Sequence, residues 1–225
     1  MLYAITDGRL YGDDEAHGRA RLVELAAVWA AHRVAFVQLR EKNLSARDQV
    51  ELARAMLHAI RATAGQEKAG QTRLLINGRP EVALAAGADG VHLPSGPNAL
   101  APAEVRAIFA AAAVPAKPPC ISIACHTLTE VEAARQQAVD CILFAPVFEK
   151  IVRSDPTSDP SQPHRLPGTG LPLLEEACRV AGPVPVFALG GVTAENAAQC
   201  LQAGAAGIAA IRLMQESASD WLHLV

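Results

Sequence analysis

Aromatic residues are scarce in this chain: they make up 4% of its 225 residues, whereas hydrophobic residues as a whole make up 51%. Large rings cannot fill most of a core of this size, so that role falls to Ala, Val, Leu and Ile. There is still enough apolar material for a sizeable core. The composition favours helices packed on a parallel sheet.

Neither sign of charge dominates, since 20 Lys and Arg stand against 23 Asp and Glu, for a formal net charge of -3. Without a basic surface field, we expect no nucleic-acid partner. The opening residues MLYAITDGRL contain no basic stretch followed by an apolar one. No apolar run approaches the roughly 20 residues that span a bilayer. We therefore expect a cytoplasmic protein with no membrane partner.

Paired cysteines are missing as well. The five cysteines lie far apart and form no C-x-x-C motif: they are Cys120, Cys125, Cys141, Cys178 and Cys200. Their spacing gives no zinc or redox motif, and their apolar surroundings predict free, buried thiols.

One pattern is repeated eight times: a short aliphatic run, a polar or glycine-containing turn, and an Ala/Leu-rich amphipathic stretch. The predicted strands are 2–6, 34–39, 73–77, 90–93, 120–124, 141–145, 184–189 and 207–211. The predicted helices are 16–32, 45–62, 80–86, 102–111, 129–138, 171–180, 194–203 and a short one near 216–222. Ser45 and Thr129 are residue types that cap helix N-termini.

Eight strand-then-helix units predict an α/β fold, the (β/α)₈ TIM barrel, as a single domain over residues 1–225. A doubly wound open sheet has the same alternation and is the alternative. The count of eight and the lack of G-x-G-x-x-G after the first strand favour the barrel. Residues 149–170 are rich in Ser, Asp and Pro, which predicts a long active-site loop or a disordered insert.

Functional residues of such a barrel lie where its strands end at their carboxyl side. On the second strand, side-chain alternation directs Phe36, Gln38 and Arg40 into the barrel, and Val37 and Leu39 toward the helices. The inner set therefore brings polar groups to the mouth of the barrel.

A donor-rich corner is predicted there for an anionic ligand, because Lys42 follows Arg40 and Asn77 ends the third strand. Arg supplies a planar fork of donors and Lys a mobile point charge. The corner consists of Gln38, Arg40, Lys42 and Asn77. The alternative is that Arg40 and Glu41 belong to a structural ion-pair network.

The fifth strand directs Ser122 inward and is followed by His126, which we predict to face the mouth. A histidine there can accept and donate a proton near neutral pH. The alternative is a histidine that only hydrogen-bonds. A nucleophile–base pair of Cys125 and His126 is disfavoured, because adjacent strand residues point to opposite faces. His92, on the inward side of its strand, is the second candidate for this role, but a packed, hydrogen-bonded histidine is the favoured interpretation.

Glycines end the seventh strand and open the helix after the long loop. They let backbone N–H groups approach a phosphate, and barrels commonly bind phosphate after the seventh and eighth strands. The alternative is turn geometry alone. We predict a phosphate site at Gly170, Gly190, Gly191, Ala209 and Ala210. Whether Arg212 beside it contacts ligand or solvent is open.

These residues belong to an ordered set of motifs: YAITD in the first strand, VQLREK at 37–42, LLINGRPEVALAAGADGVHL at 74–93, SIACHTLTEVEAA at 122–134, FAPVF at 144–148, GTGLPLL at 168–174 and VPVFALGGVTAENA at 184–197. The set resembles the thiamine phosphate synthase and TenI superfamily along nearly the whole chain. The resemblance implies the barrel fold and a small phosphorylated substrate.

In the synthase branch, the resemblance implies that a pyrimidine diphosphate and a thiazole phosphate are joined with loss of pyrophosphate, assisted by magnesium. It assigns the diphosphate to Gln38, Arg40, Lys42 and Asn77. The magnesium ligands of that branch are aspartates, whereas here Gly78 and Pro97, or a near neighbour of Pro97, occupy their positions. Neither residue has a side chain that can coordinate a hard cation.

The TenI branch fits this pattern better, and our main expectation is a thiazole tautomerase-like enzyme of thiamine biosynthesis that needs no cofactor. The resemblance implies that His126 acts as acid and base while a thiazole carboxylate phosphate isomerises to its aromatic form. Arg40 and Lys42 would neutralise the carboxylate or the developing charge.

Two alternatives stay open. One is a divergent synthase that binds magnesium through Asp155 or Asp159 of the long loop. The other is a non-catalytic regulatory protein that binds a phosphorylated ligand. The sequence also leaves open whether the chain forms a homo-oligomer.

Overall fold

The computed structural model describes residues 1–68, 72–96, 98–112, 117–152, 164–216 and 221–222. Its strands are β1 (Leu2–Ile5), β2 (Phe36–Leu39), β3 (Arg73–Asn77), β4 (Gly90–Leu93), β5 (Cys120–Cys125), β6 (Cys141–Phe144), β7 (Lys150–Val152), β8 (His164–Leu166), β9 (Val186–Leu189) and β10 (Gly207–Ala210). Its helices are α1 (Glu15–Ala31), α2 (Ala46–Lys68), α3 (Pro80–Ala86), α4 (Pro102–Ala110), α5 (Leu128–Gln136), α6 (Leu171–Ala181), α7 (Ala197–Gln202) and α8 (Arg212–Glu216). A short 3₁₀ helix, Gly8–Tyr11, follows β1.

Eight of the described strands close into a parallel barrel in the order β1, β2, β3, β4, β5, β6, β9 and β10, and β10 pairs again with β1. Each begins at, or within two residues of, its predicted start. The (β/α)₈ barrel is confirmed, and the open-sheet alternative is wrong. Strands β7 and β8 form a separate antiparallel pair within the long segment 149–170.

Helix starts follow from local side-chain chemistry. Ser45 Oγ accepts the Asp48 N–H at 3.2 Å, as predicted for the cap of α2. The predicted cap at Thr129 is wrong, because Thr127 Oγ accepts the Glu130 N–H at 3.2 Å while the Glu130 carboxylate accepts the Thr127 N–H at 3.0 Å. This reciprocal pair is a capping box, so α5 begins one residue earlier than predicted.

The last helix also differs from its prediction near 216–222. Helix α8 begins at Arg212, two residues after β10 ends at Ala210. The predicted strand 207–211 and the predicted helix leave residues 212–215 unassigned, and α8 begins there. Trp221 and Leu222 are again helical, and the residues between Glu216 and Trp221 lie outside the described part.

Alternating side chains divide the core into two layers. Val37, Leu39 and Cys125 pack with the helices, whereas Phe36 belongs to the cluster inside the barrel. The predicted inward and outward faces of these strands are therefore confirmed. All five cysteine thiols are free, and all except the half-buried Cys178 are buried. No helix in the described part of the chain is long and apolar enough to cross a membrane.

Three aromatic rings fill the barrel interior. The centroid of Tyr3 lies 5.4 Å from that of Phe36 and 5.6 Å from that of Phe187, and the latter two are 5.7 Å apart. Such edge and tilted contacts stabilise by about 0.5–1.5 kcal/mol each beyond their buried area. Three of the nine aromatic residues thus lie where a closed barrel needs bulk.

The first residue of β4 is a glycine for steric reasons. A Cβ added to Gly90 would overlap the backbone of Cys120 on β5, with the Cys120 carbonyl carbon and amide nitrogen each only 2.6 Å away. A side chain at this position would therefore push two paired strands apart.

We predict that Gly90→Ala lowers the free energy of unfolding by more than about 3 kcal/mol, since a packed barrel cannot move one strand alone. Urea denaturation measures it. The control is Gly87→Ala in the C-cap of α3, where φ is 71° and no atom lies within 4 Å of an added Cβ. Backbone strain alone should cost about 1–2 kcal/mol there. Equal losses in the two variants would contradict the steric argument.

Candidate active site

The loops after β1 and β2 are joined by a buried carboxylate. Glu41 accepts the Thr6 hydroxyl at 2.6 Å and the Gly8 N–H at 3.0 and 3.1 Å. Thr6 Oγ1 in turn accepts the Arg40 N–H at 2.9 Å. These bonds hold the backbone of Arg40 at the mouth. The alternative that Arg40 and Glu41 belong to a structural ion-pair network is wrong for the described residues, because neither side chain forms an ion pair there and Glu41 instead accepts from Thr6 and Gly8.

Three basic side chains form what we call the cationic corner: Arg9, Arg40 and Lys42. Arg9 pairs with Asp7 at 2.8 Å, and this hydrogen bond lowers the pKa of the Asp7 carboxyl. Repulsion from Arg40, burial and Arg9 together lower the pKa of Lys42. Arg40 and Lys42 form no ion pair within the described residues. The corner therefore retains unpaired positive charge that an anion would relieve.

An amide pair lies beside this corner. Gln38 Nε2 donates to Asn77 Oδ1 at 2.9 Å, so the ends of β2 and β3 are joined by their side chains as well as by their backbones. Gln38 is only 1% exposed, and its buried Oε1 has no partner among the described residues. The structure thus brings Gln38 and Asn77 together as predicted, with one acceptor unsatisfied.

His92 is held in the barrel beneath the mouth. Its Nδ1 lies 2.8 Å from Ser122 Oγ, which in turn lies 2.9 Å from the Tyr3 hydroxyl. The ring is 5% exposed, and burial followed by the charge of Arg40 lowers the His92 pKa to about 3. His92 is therefore neutral, and the prediction of a packed, hydrogen-bonded histidine is confirmed.

His126 follows β5 and is exposed at the mouth. Its Nδ1 lies 2.5 Å from the Ala145 carbonyl oxygen, and its Nε2 lies 2.8 Å from Ser95 Oγ. Glu130 Oε2 accepts the His126 backbone N–H at 2.5 Å, which ties the residue to the cap of α5. The imidazole is thus held from both ends, with one ring nitrogen directed to a polar group in the loop after β4.

Sequence reasoning missed Ser95, because the loop after β4 was considered only for its lack of an acidic residue. The signal that could have found it is position: Ser95 comes two residues after β4 ends and His126 comes one residue after β5 ends, so both lie at the carboxyl face of the barrel. Cys125 faces the helix layer, where burial and the nearby Glu130 raise the pKa of its thiol to about 12. A Cys125–His126 pair is therefore excluded.

The glycines after β9 have a packing role of their own. A Cβ on Gly190 would lie 2.8 Å from Pro146 Cα, and one on Gly191 would lie 2.5 Å from the Glu149 carbonyl oxygen. Both residues have positive φ, 92° and 65°. Phe148 N–H donates to the Gly190 carbonyl at 2.9 Å. Close approach of the loop after β6 already requires glycine here, whether or not a phosphate binds.

The remaining predicted phosphate ligands are spread over this side of the barrel. Gly170 caps α6 with φ 85°, and its N–H donates to the Val147 carbonyl at 2.9 Å. Ala209 lies in the interior cluster, whereas Ala210 packs with the helix layer. The exposed Arg212 side chain lies 3.9 Å from Glu216. Binding by these residues stays a prediction.

The described residues do not fit a magnesium ion at the positions that the resemblance implies. Gly78 has φ 68° and donates its N–H to the His92 carbonyl at 2.8 Å, but it brings no oxygen ligand. The carboxylates of Glu41 and Asp7 are engaged as described above. No group of three or more His, Cys, Asp or Glu in the described ranges could hold a metal. Pro97, Asp155 and Asp159 lie outside the described residues.

The fold is a (β/α)₈ barrel whose polar side chains gather at the carboxyl ends of the strands, where barrel enzymes of this class have their sites. The family model described as thiamine monophosphate synthase matches residues 2–214. The chain therefore belongs to this family of thiamine-biosynthesis enzymes, which confirms the superfamily predicted from the motifs.

Relatives cover nearly the whole chain. A candidate thiamine-phosphate synthase of Geobacter sulfurreducens is 39% identical over 93% of this chain and 84% of its own. The thiamine-phosphate synthase of Methanoculleus marisnigri is 35% identical over 93% and 85%. The structure of a thiamine phosphate pyrophosphorylase from Pyrococcus furiosus superposes with a TM-score of 0.70 at 25% identity, covering 99% of this chain and 90% of that one.

We predict that acid destabilises the protein partly through His92. The unfolded chain binds a proton on this histidine below about pH 6.5, whereas the folded chain does not until about pH 3. The free energy of unfolding therefore falls as the pH falls through this window, and at about pH 5 it is about 2 kcal/mol lower than near pH 7.

Urea denaturation near pH 7 and pH 5 tests this prediction. Between these two pH values, the free energy of unfolding of His92→Gln should fall by about 2 kcal/mol less than that of the wild type. The exposed His58→Gln variant on α2 should keep the wild-type pH dependence. The same pH dependence in all three proteins would contradict a neutral, buried His92.

Proposed function

We propose that the protein is a metal-independent tautomerase that converts a thiazole carboxylate phosphate to its aromatic isomer. The observation that carries this proposal is the setting of His126. Its Nδ1 meets a carbonyl oxygen, which can only accept a hydrogen bond, so Nδ1 carries the proton and Nε2 is the basic nitrogen. This basic nitrogen belongs to an exposed residue at the mouth of the barrel.

Proton transfer follows from this arrangement. His126 Nε2 would remove a proton from one carbon of the substrate, and the resulting imidazolium would return a proton to another carbon. The Ala145 carbonyl would stabilise the imidazolium through the short Nδ1–H bond. One C–H bond breaks and one forms, so the reaction needs no outside acid or base.

The two halves of the mouth would bind the two charged ends of the substrate. The cationic corner would bind the carboxylate and the negative charge that develops when the proton leaves. Asn77, held by Gln38, would orient the ring. The phosphate would bind on the other side of the mouth, at the backbone around Gly170, Gly190 and Gly191, with His126 between the two ends in barrel order.

A divergent thiamine-phosphate synthase is the second candidate, and the names of the relatives favour it. Gln38, Arg40, Lys42 and Asn77 are all present in the positions that the resemblance assigns to a diphosphate. The described residues supply no magnesium ligands at Gly78, so this activity would require ligands from elsewhere in the chain.

The experiment that separates the candidates is turnover of the non-aromatic thiazole carboxylate phosphate, with and without a chelator. We expect turnover that a chelator leaves unchanged and that falls about a hundredfold or more in His126→Ala, the scale of a general acid/base. His58→Ala, an exposed histidine on α2, is the control and should keep wild-type turnover.

Other outcomes assign the other functions. Thiamine phosphate formed from the two precursors only with magnesium would establish the synthase. Binding of thiazole phosphate without turnover in either assay would indicate a regulatory binding protein.

We predict that Arg40→Gln raises the KM for the substrate at least about tenfold, as for loss of a hydrogen bond between charged groups. The change leaves the backbone bond from Arg40 N–H to Thr6 intact. The control is Arg47→Gln, whose exposed side chain pairs with Glu51 on α2 and should not affect KM. Steady-state kinetics measure both, and an unchanged KM in Arg40→Gln would show that this arginine does not bind substrate.

A further inference from the structure

Ser95, His126 and the Ala145 carbonyl form one hydrogen-bonded line at the mouth. They come from the loops after β4, β5 and β6, which are consecutive strands of the barrel. Ser95 Oγ lies 2.8 Å from His126 Nε2, and Nδ1 of the same ring lies 2.5 Å from the Ala145 oxygen. The line is therefore held by three separate parts of the barrel.

The hydrogen atoms of this line have only one consistent arrangement when the ring is neutral. The carbonyl must accept, so Nδ1 donates and Nε2 accepts. Ser95 must then donate its hydroxyl proton to Nε2, and the lone pairs of its oxygen face outward from the ring. An exposed hydroxyl whose proton points to a base and whose lone pairs are open can pass a proton inward.

The competing polar groups near His126 are occupied. The Glu130 carboxylate, on α5, accepts the backbone N–H groups of His126 and Thr127. The Cys125 thiol faces the helix layer. His92, on the neighbouring strand β4, is neutral and contacts Ser122. In the described part of the chain, Ser95 is the side chain that hydrogen-bonds to the His126 ring.

We propose that Ser95 is a second catalytic residue, a proton relay between the substrate and His126. This proposal rests on the tautomerase function proposed above. In the first half-reaction the substrate C–H bond breaks, its proton moves to Ser95 Oγ, and the original Ser95 proton moves to His126 Nε2. In the second half-reaction the imidazolium returns a proton through the same hydroxyl to the other carbon. The protein ends in its starting state.

The relay allows one histidine to serve two carbons of the substrate. A tautomerase must remove and deliver a proton at two carbons of one ring system, whereas the His126 ring is held at Nδ1 and at its backbone. The hydroxyl of a serine rotates about the Cβ–Oγ bond at little cost. This rotation turns the Ser95 O–H bond from one carbon to the other while Oγ stays within hydrogen-bond distance of Nε2.

The test compares Ser95→Ala, which removes the hydroxyl, with Ser95→Thr, which keeps it. We expect Ser95→Ala to lower kcat about 10- to 100-fold with little change in KM, which is at or below the lower end of a single acid/base contribution because His126 can still take the proton directly. Ser95→Thr should keep kcat within a few-fold of the wild type. Thr129→Ala, an exposed hydroxyl on α5, is the control.

Isotope effects separate a relay from a merely structural hydroxyl. In the wild type, proton removal moves the substrate hydrogen and the exchangeable Ser95 hydrogen together, so both a deuterated substrate and D₂O should slow it. In Ser95→Ala, His126 would take the substrate hydrogen directly. The effect of the deuterated substrate should then persist, while the solvent effect on this step falls toward 1.

Each outcome has a distinct meaning. A wild-type kcat in Ser95→Ala would overturn the relay and leave the tautomerase function standing. No turnover by the wild type would overturn the proposed function and the relay with it. The hydrogen bond itself is tested without substrate by ¹⁵N NMR of His126, whose Nε2 resonance should move in Ser95→Ala and not in Thr129→Ala. An unmoved resonance would contradict the hydrogen-bonded line.

Discussion

Tyr3 connects the hydrophobic interior of the barrel to the buried polar groups beneath its mouth. Its ring packs against Phe36 and Phe187, while its hydroxyl bonds to Ser122, which contacts His92. Burial raises the pKa of the Tyr3 hydroxyl well above its ordinary value, so it remains a neutral hydrogen-bonding group. The packed aromatic rings thus fix the position of the Tyr3 hydroxyl, which in turn positions Ser122 and His92.

Sequence periodicity predicted the fold because the alternation of inward and outward side chains is set within each strand. Alternation along β2 placed Gln38 and Arg40 on the inner face without reference to any other strand. The same rule separated Cys125 from His126. This rule fails where the deciding contact is distant in sequence. The pattern suggests an ion-pair network for Arg40 and Glu41, but the partners of Glu41 are Thr6 and Gly8, which belong to the preceding strand–helix unit. The contact between Ser95 and His126 joins residues 31 positions apart, and no sequence period marks it.

Glycine shows a different limit of sequence reasoning. A glycine after a barrel strand has the same letter whether it makes room for a ligand or for the protein itself. At Gly190 and Gly191 the protein provides a sufficient reason, since the segment from Pro146 to Glu149 lies against their backbones. A phosphate site on this side therefore cannot be inferred from the glycines alone, and its support comes from the family and from the position of α6.

His92 beneath the mouth and His126 at the mouth are placed in opposite environments by the same barrel. His92 is enclosed and lies close to the charge of Arg40, and burial followed by this charge favours the neutral ring. His126 is exposed, and its Nδ1 contacts a carbonyl oxygen, which stabilises the protonated ring as well as the neutral one. Burial and the charge of Arg40 make a protonated ring at position 92 costly, and the proton carrier of the proposed reaction is therefore His126, which lies three strands away from Arg40 in barrel order.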